Sequence, residues 1–251
     1  MTSKTTTLTQ ETGKLKHFPE FPPREDMQNW RYIYDPGVLN ALSIHLKKTR
    51  PEATAMCEVP VARNLSERGS VRIPDMSVVI GGDRALIEEQ AGYEIDRQGK
   101  PPDFVLEVAS PTTGVADYTA KRLDYESFGV TEYWRFDPSG GRFHDAPLAA
   151  DRLVNGEYSP IEIMVETDGR RWGFSEVLGL ELWWDERMLR FRDPATGEFL
   201  RTPHEIYADY QAAEARAADA EARADEARVA KEAAEARLAE MEAEMRRLRG
   251  E

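Results

Sequence analysis

An α/β domain followed by one long helix is the fold class that the sequence predicts, and three observations carry the prediction. Alternating, β-branched segments bounded by Gly and Pro turns recur from Ala55 to Phe191; one helical pattern precedes them near Asp35 to Arg50 and another interrupts them at Thr113 to Phe128. Beyond Pro203 bulky residues almost vanish in favour of Ala, Glu and Arg at heptad spacing. A chain of 251 residues has room for one core of about 100 to 200 residues and an appendage. The expected divisions are an N-terminal arm at 1–28, a domain at 29–203 and a tail at 204–251.

The arm is polar and punctuated by proline, and Phe18-Pro19-Glu20-Phe21-Pro22-Pro23 cannot continue a helix. Asp35-Pro36 reads as a helix start, with Val38, Leu39, Leu42, Ile44 and Leu46 as the apolar face. Strands are expected from Ala55 to Val61 and from Ser70 to Ile80, the second ended by Gly81-Gly82. The stretch from Asp83 to Lys100 shows no clear period. Asp103 to Ala109 is a strand stopped by Ser110-Pro111, and Thr113 to Phe128 a helix anchored by Tyr118, Leu123 and Tyr125, with Gly129 just past its end. Glu132 to Phe136 is a strand, Asp137 to Gly141 a turn and Arg142 to His144 the return strand. Short strand-and-turn units fill Leu153 to Phe191, and a last turn at Asp193 to Gly197 leads to Pro203.

In the tail, a 4-3 spacing runs from Ile206 and Tyr210 through a series of alanines and Lys231 to Leu238, Met241, Met245 and Leu248. Alanine at most seam positions buries little area, so a weak, close-packed coiled-coil homodimer is expected, against a single solvated helix laced by i,i+4 ion pairs.

The formal charge of −13 confines any DNA-binding surface to a local patch of Lys and Arg. Cys57 is the only cysteine, which excludes an intrachain disulfide and multi-cysteine metal sites; a small buried hydrophobe is the role expected for it. No apolar run reaches the roughly 18 residues of a membrane span, and the opening residues lack the apolar core of a signal peptide, so a cytoplasmic protein is expected. No Gly-rich phosphate loop or nucleophile elbow is present. His17, His45, His144 and His204 show no metal-ligand spacing and receive no role.

Two carboxylates stand out because each sits in a strongly apolar strand, where an ionised group needs a cation or hydrogen-bond donors. They are Asp75, in Arg72-Ile73-Pro74-Asp75-Met76-Ser77-Val78-Val79-Ile80, and Glu107, in Phe104-Val105-Leu106-Glu107-Val108-Ala109. Strand alternation puts Glu107 on the face of Asp103, Val105 and Ala109. If the strand of Asp75 pairs beside it, the two carboxylates can converge on one hard divalent cation, Mg²⁺ or Mn²⁺. Asp103 and Glu58 are weaker candidates, read first as turn or accessory residues. Ser110 to Thr113 read as a helix cap, and Tyr133 and Trp134 as core anchors.

The ordered set Pro74-Asp75, Asp103 to Glu107, Ser110-Pro111, Asp117, Lys121, Tyr125, Gly129 to Trp134 and Asp137-Pro138 resembles the Uma-type restriction-endonuclease-like family, placed in the PD-(D/E)XK nuclease superfamily. The resemblance covers roughly residues 30 to 203. It implies a central mixed sheet flanked by helices and a Mg²⁺-dependent site for DNA hydrolysis. By position, Asp75 would be the Asp of the Pro-Asp motif and Glu107 the acidic residue of the second motif, both of them catalytic-site residues and metal ligands. Ala109 stands where the superfamily pattern has lysine, and the resemblance assigns that role to Lys121 on the following helix, with Asp117 one turn before it to hold or neutralise the ammonium. The principal reading is a metal-dependent DNA endonuclease that uses Asp75, Glu107 and Lys121. The alternative, favoured by Ala109 and the acidic charge, is a catalytically silent nuclease fold that binds DNA or protein and is dimerised by its tail.

Overall fold

The computed structural model describes residues 32–33, 36–65 and 71–250, so the arm expected over 1–28 lies outside it. Helix α1 (Val38–Thr49) starts after Gly37, whose φ of 72° is the left-handed conformation that glycine tolerates. It buries Val38, Ala41, Leu42 and Leu46, whereas Ile44, expected on the apolar face, is exposed.

The strand expected from Ala55 to Val61 is two strands, β1 (Ala53–Met56) and β2 (Val61–Ala62). Between them Glu58 adopts a φ of 53° and Pro60 has no donor for a ladder. The strand expected from Ser70 starts later, as β3 (Met76–Ile80): Ser70 lies outside the described residues, Arg72 makes only an isolated bridge to Val61, and Pro74 precedes Asp75. The stretch without a visible period holds α2 (Arg84–Gln90), capped by the Asp83 carboxylate on the Leu86 N–H, then β4 (Tyr93–Glu94) and α3 (Ile95–Gln98). These elements are too short for a periodic signal.

β5 (Phe104–Val108) is followed by α4 (Gly114–Tyr118) and α5 (Ala120–Phe128), where one helix was expected. Thr119, at φ −117° and ψ −92°, breaks the helix, and its hydroxyl turns back to the Val115 carbonyl. Gly129 ends α5 with a φ of 86°, the left-handed C-terminal position predicted for it. Of the expected helix anchors Tyr125 is buried, Tyr118 is half-buried, and Leu123 is exposed. β6 (Glu132–Phe136) lies parallel to β5, as a helical crossover permits. The return strand is not Arg142 to His144 but β7 (Leu148–Val154), which pairs antiparallel with β6 and continues into β8 (Glu157–Pro160).

The larger sheet has the order β1-β3-β5-β6-β7-β8, mixed because only β5 and β6 run parallel. A second, antiparallel sheet holds β9 (Met164–Val165), β10 (Arg171–Ser175), β11 (Leu180–Asp185), β12 (Met188–Asp193) and β13 (Glu198–Phe199). Every residue of β5 is buried, as expected of a central strand covered on both faces. On one face Phe104, Leu106 and Val108 join Trp134, Phe136, α1 and the β11–β12 side chains in the main core. On the other, Val105 packs with Tyr125, Phe128 and Tyr133 in a second core.

The boundary between two compact units falls between Pro203 and His204. Helix α6 (Pro203–Arg249) runs for 47 residues with none buried. Ion pairs along it join Arg228 to Asp225 and Glu232, and Lys231 to Glu235. No helix among the described residues is long and apolar enough to cross a membrane.

Candidate active site

Glu107 is the fourth residue of β5 and only 1% exposed, held between Leu106 and Val108. Its carboxylate is nonetheless fully engaged. Oε1 accepts from the Tyr125 hydroxyl at 2.7 Å, and Oε2 lies 3.0 Å from the Lys121 ammonium. Both partners come from α5, because the parallel β5–β6 pairing requires the chain to cross over this face of the sheet.

Asp75 immediately precedes β3. The register Met76 to Leu106, Ser77 to Val105 and Val78 to Phe104 extends by one step to put Asp75 opposite Glu107, and directly opposed residues of an antiparallel pair share a face. Asp75 is 3% exposed; its Oδ2 accepts the Val108 N–H at 2.7 Å, and the Cys57 thiol donates to its backbone carbonyl. The structure therefore brings Asp75, Glu107 and Lys121 to one face of the sheet.

Asp117 joins them. It lies in the last turn of α4, four residues before Lys121, is fully buried, and places Oδ1 2.6 Å from the ammonium. Its Oδ2 lies 2.8 Å from His144 Nε2, and its backbone carbonyl accepts from the Tyr133 hydroxyl at 2.6 Å. His144 is the residue that sequence reasoning missed. It lies 27 positions from Asp117 in a segment expected to be a strand, and no spacing marks it. It arrives because Asp137 ties the loop after β6 into a knot: Oδ1 accepts from Ser139 N–H, and Oδ2 from Phe143 N–H at 2.8 Å and His144 N–H at 3.0 Å. One amide of the turn and two of the expected return strand are thereby spent on one carboxylate, and against the opposing effect of burial these donors hold the Asp137 carboxyl below its ordinary range. The loop rests against the start of α4, where a Cβ on Gly114 would collide with the Phe143 carbonyl.

Electrostatics follow from this arrangement. Burial pushes the Glu107 carboxyl from 4.5 up to about 8, opposed by Lys121 and reinforced by Asp75 and Asp117. Burial also works against the charge of Lys121, but Glu107 and Asp117 outweigh it and hold the ammonium above its ordinary pKa. Two carboxyls thus pair with one ammonium while Asp75 acts on the same cluster at longer range, so acidic groups outnumber the ammonium and protonation of Glu107 is favoured. Among the described residues no group of three or more His, Cys, Asp or Glu is arranged to hold a metal ion. Asp75 and Glu107 are the two hard oxygen donors that could hold a cation here, a number that would suit an ion retaining several of its waters.

The remaining candidates are structural. Asp103 sits at the far end of β5, where it accepts from the Ile80 N–H and the Lys100 ammonium. Glu58 is exposed in the turn before β2. Ser110 caps the helix entry by accepting from the Thr113 N–H. Trp134 and Tyr133 are fully buried. Ala109 is fully buried too, its N–H donated to the Phe136 carbonyl.

Comparison with known proteins adds three findings. A family profile described as "Uma2: Putative restriction endonuclease" matches residues 37–188. Among solved structures, one described as "a putative nuclease belonging to DUF820 from Anabaena variabilis ATCC 29413" is similar at 18% identity over 52% of this chain and 68% of its own, with a TM-score of 0.35. No curated protein matches the chain.

Proposed function

The chain belongs to the Uma2 family, and on that premise we propose that it is a metal-dependent nuclease hydrolysing DNA phosphodiester bonds at the cluster of Asp75, Glu107 and Lys121. One observation carries the reading: a lysine from the crossover helix lies 3.0 Å from a buried mid-strand carboxylate, with a second carboxylate at the opposed position of the neighbouring strand. Such a set costs stability unless a cation or substrate uses it.

In this reading Asp75 and Glu107 would hold one Mg²⁺ or Mn²⁺ ion. When bound, the ion supplies charge neutralisation at the phosphoryl group and lowers the pKa of a coordinated water. Lys121, with a side chain 16% exposed, presents its ammonium to the scissile phosphate and stabilises the charge that develops there. Tyr125 fixes the Glu107 carboxylate through Oε1, which leaves Oε2 to face the ammonium and the ion. The lysine missing at position 109 is thereby replaced in space, though not in sequence.

The tail extends the proposal to a homodimer. Ile206, Tyr210, Leu238, Met241, Met245 and Leu248 are all exposed, and all stand at the 4-3 seam positions. Pairing of two copies through α6 would give these side chains cover and supply two nuclease sites per particle.

The test is nicking of a supercoiled plasmid in Mn²⁺ by the wild type and by Asp75→Ala, Glu107→Ala and Lys121→Ala, alongside thermal melting with and without Mg²⁺. The proposal expects nicking by the wild type alone, and a metal-dependent rise in melting temperature that Glu107→Ala abolishes. Equal nicking by all four proteins would expose a contaminant. A wild type that neither nicks nor responds to metal would leave a silent DNA-binding or protein-binding module, the reading favoured by the buried Ala109.

A further inference from the structure

We propose that His144 and Asp117 are a pair of positioning residues that aim the Lys121 ammonium at Glu107. In its kinetic part the inference rests on the nuclease reading above; in its geometric part it stands alone.

Lys121 is on a side chain with four rotatable bonds, and left to itself an ammonium of this kind samples solvent. Here it bridges two carboxylates, Asp117 Oδ1 at 2.6 Å and Glu107 Oε2 at 3.0 Å. The bridge is only as rigid as Asp117. That residue is the fourth of a five-residue helix, two positions before the break at Thr119, so α4 by itself fixes its carboxylate weakly. His144 completes the restraint. With Asp117 ionised, Nε2 carries the hydrogen shared across 2.8 Å and donates it to Oδ2, so each oxygen of Asp117 has one cationic or donor neighbour. Both side chains of the pair are 0% exposed, and the imidazole has no route to the solvent or to a substrate. His144 Nδ1 is buried without a hydrogen-bond partner among the described residues, so what the imidazole gives polar partners passes through Nε2.

The surroundings are built to bring the histidine there. Asp137 gathers the amides of Ser139, Phe143 and His144, and Gly114 lets the Phe143 carbonyl close on α4. A loop that served only to connect β6 with β7 needs neither a buried imidazole nor so close an approach of backbone to backbone. Asp117 is held by its ion pair with Lys121 through Oδ1 and its hydrogen bond with His144 through Oδ2, and in this inference its role is to orient the lysine. The chain from His144 through Asp117 to Lys121 does for a helix lysine what β5 would do for one at position 109, namely hold the amine in register with Glu107.

The experiment reads Lys121 directly. Acetylation of Lys121 by a small N-hydroxysuccinimide ester is followed by mass spectrometry in the wild type, His144→Ala and His144→Gln, each confirmed as folded by circular dichroism. Gln places an N–H close to the position of Nε2 and serves as the conservative rescue. The proposal expects several-fold faster labelling in His144→Ala and wild-type protection in His144→Gln. Unchanged labelling in His144→Ala, or equally fast labelling in both variants, would overturn it.

Nicking in Mn²⁺ then gives the second arm. His144→Ala slows the reaction about 100-fold, the scale of a misplaced reacting group, and His144→Gln restores it. In the Lys121→Ala background, His144→Ala adds no further loss; a full additional loss there would show that His144 acts by another route and would overturn the proposal. Should the wild type fail to nick while the labelling pattern holds, the nuclease reading falls and the positioning pair stands.

Discussion

Helix α6 and strand β5 are the extremes of this molecule. One is 47 residues long with none buried, and the other is five residues long with all buried. A helix closes its hydrogen bonds within itself, so Ala, Glu and Arg suffice to specify α6 while leaving open what covers it. A strand closes nothing alone. β5 exists because β3 and β6 flank it and because two cores load its faces, and its single charged residue must find partners from elsewhere in the chain. Length therefore tracks local propensity, whereas chemistry collects where tertiary structure imposes the conformation.

The comparison can be broken at several points. The largest effect is expected in the core beside β5, where Trp134→Ala should lower unfolding free energy by about 3–5 kcal/mol; urea denaturation measures it, and a loss near zero would mean that this core is not what holds the strand. Next, Lys121→Ala should slow plasmid nicking about 10²–10³-fold, roughly 2.7–4 kcal/mol of transition-state stabilisation.

A pH dependence of the metal-free protein comes third. The Glu107 carboxyl, raised in the folded chain from 4.5 to about 8, takes up a proton on folding within that window. The folded state then binds more protons than the unfolded one, so stability declines as pH rises through the window and levels off above it. Melting curves in a chelator should show that slope, and Glu107→Gln should flatten it.

The smallest effect belongs to α6. Leu238→Ala, at a side chain 57% exposed, should change unfolding of the strand-bearing unit by no more than about 0.5 kcal/mol. The same change should shift sedimentation toward the monomer. An unchanged sedimentation profile would remove Leu238 from any seam.

What the sequence disclosed follows the same division. β6, α6 and the left-handed glycine after α5 were legible because each has a local cause, alternation, heptad spacing or a required positive φ. Asp75 and Glu107 stand out by charge in apolar surroundings and Lys121 by family position, and the register of β3 on β5 with the crossover helix brings them to one face. His144 was not legible. Its placement depends on the carboxylate of Asp137 accepting three amides, a knot that looks from sequence like an ordinary turn and return strand. The break at Thr119 was hidden for a related reason: the residues on both sides of it suit a continuous helix, whereas in the fold the Asp117 carbonyl, which a continuous helix would offer to the Lys121 N–H, accepts from the Tyr133 hydroxyl. The division of Ala55 to Val61 into two strands could have been read from Pro60, which cannot donate to a ladder.

Gly114 offers a remote handle on all of this. The position tolerates no side chain while the Phe143 carbonyl stays in place, so even a methyl group acts as a wedge that prises the loop outward and draws His144 with it. A residue outside the Asp75, Glu107 and Lys121 cluster would thus control the placement of His144. On the proposed nuclease reading, Gly114→Ala should abolish nicking while the carboxylates of Asp75 and Glu107 stay where they were, which would separate assembly of the cluster from any chemistry done there.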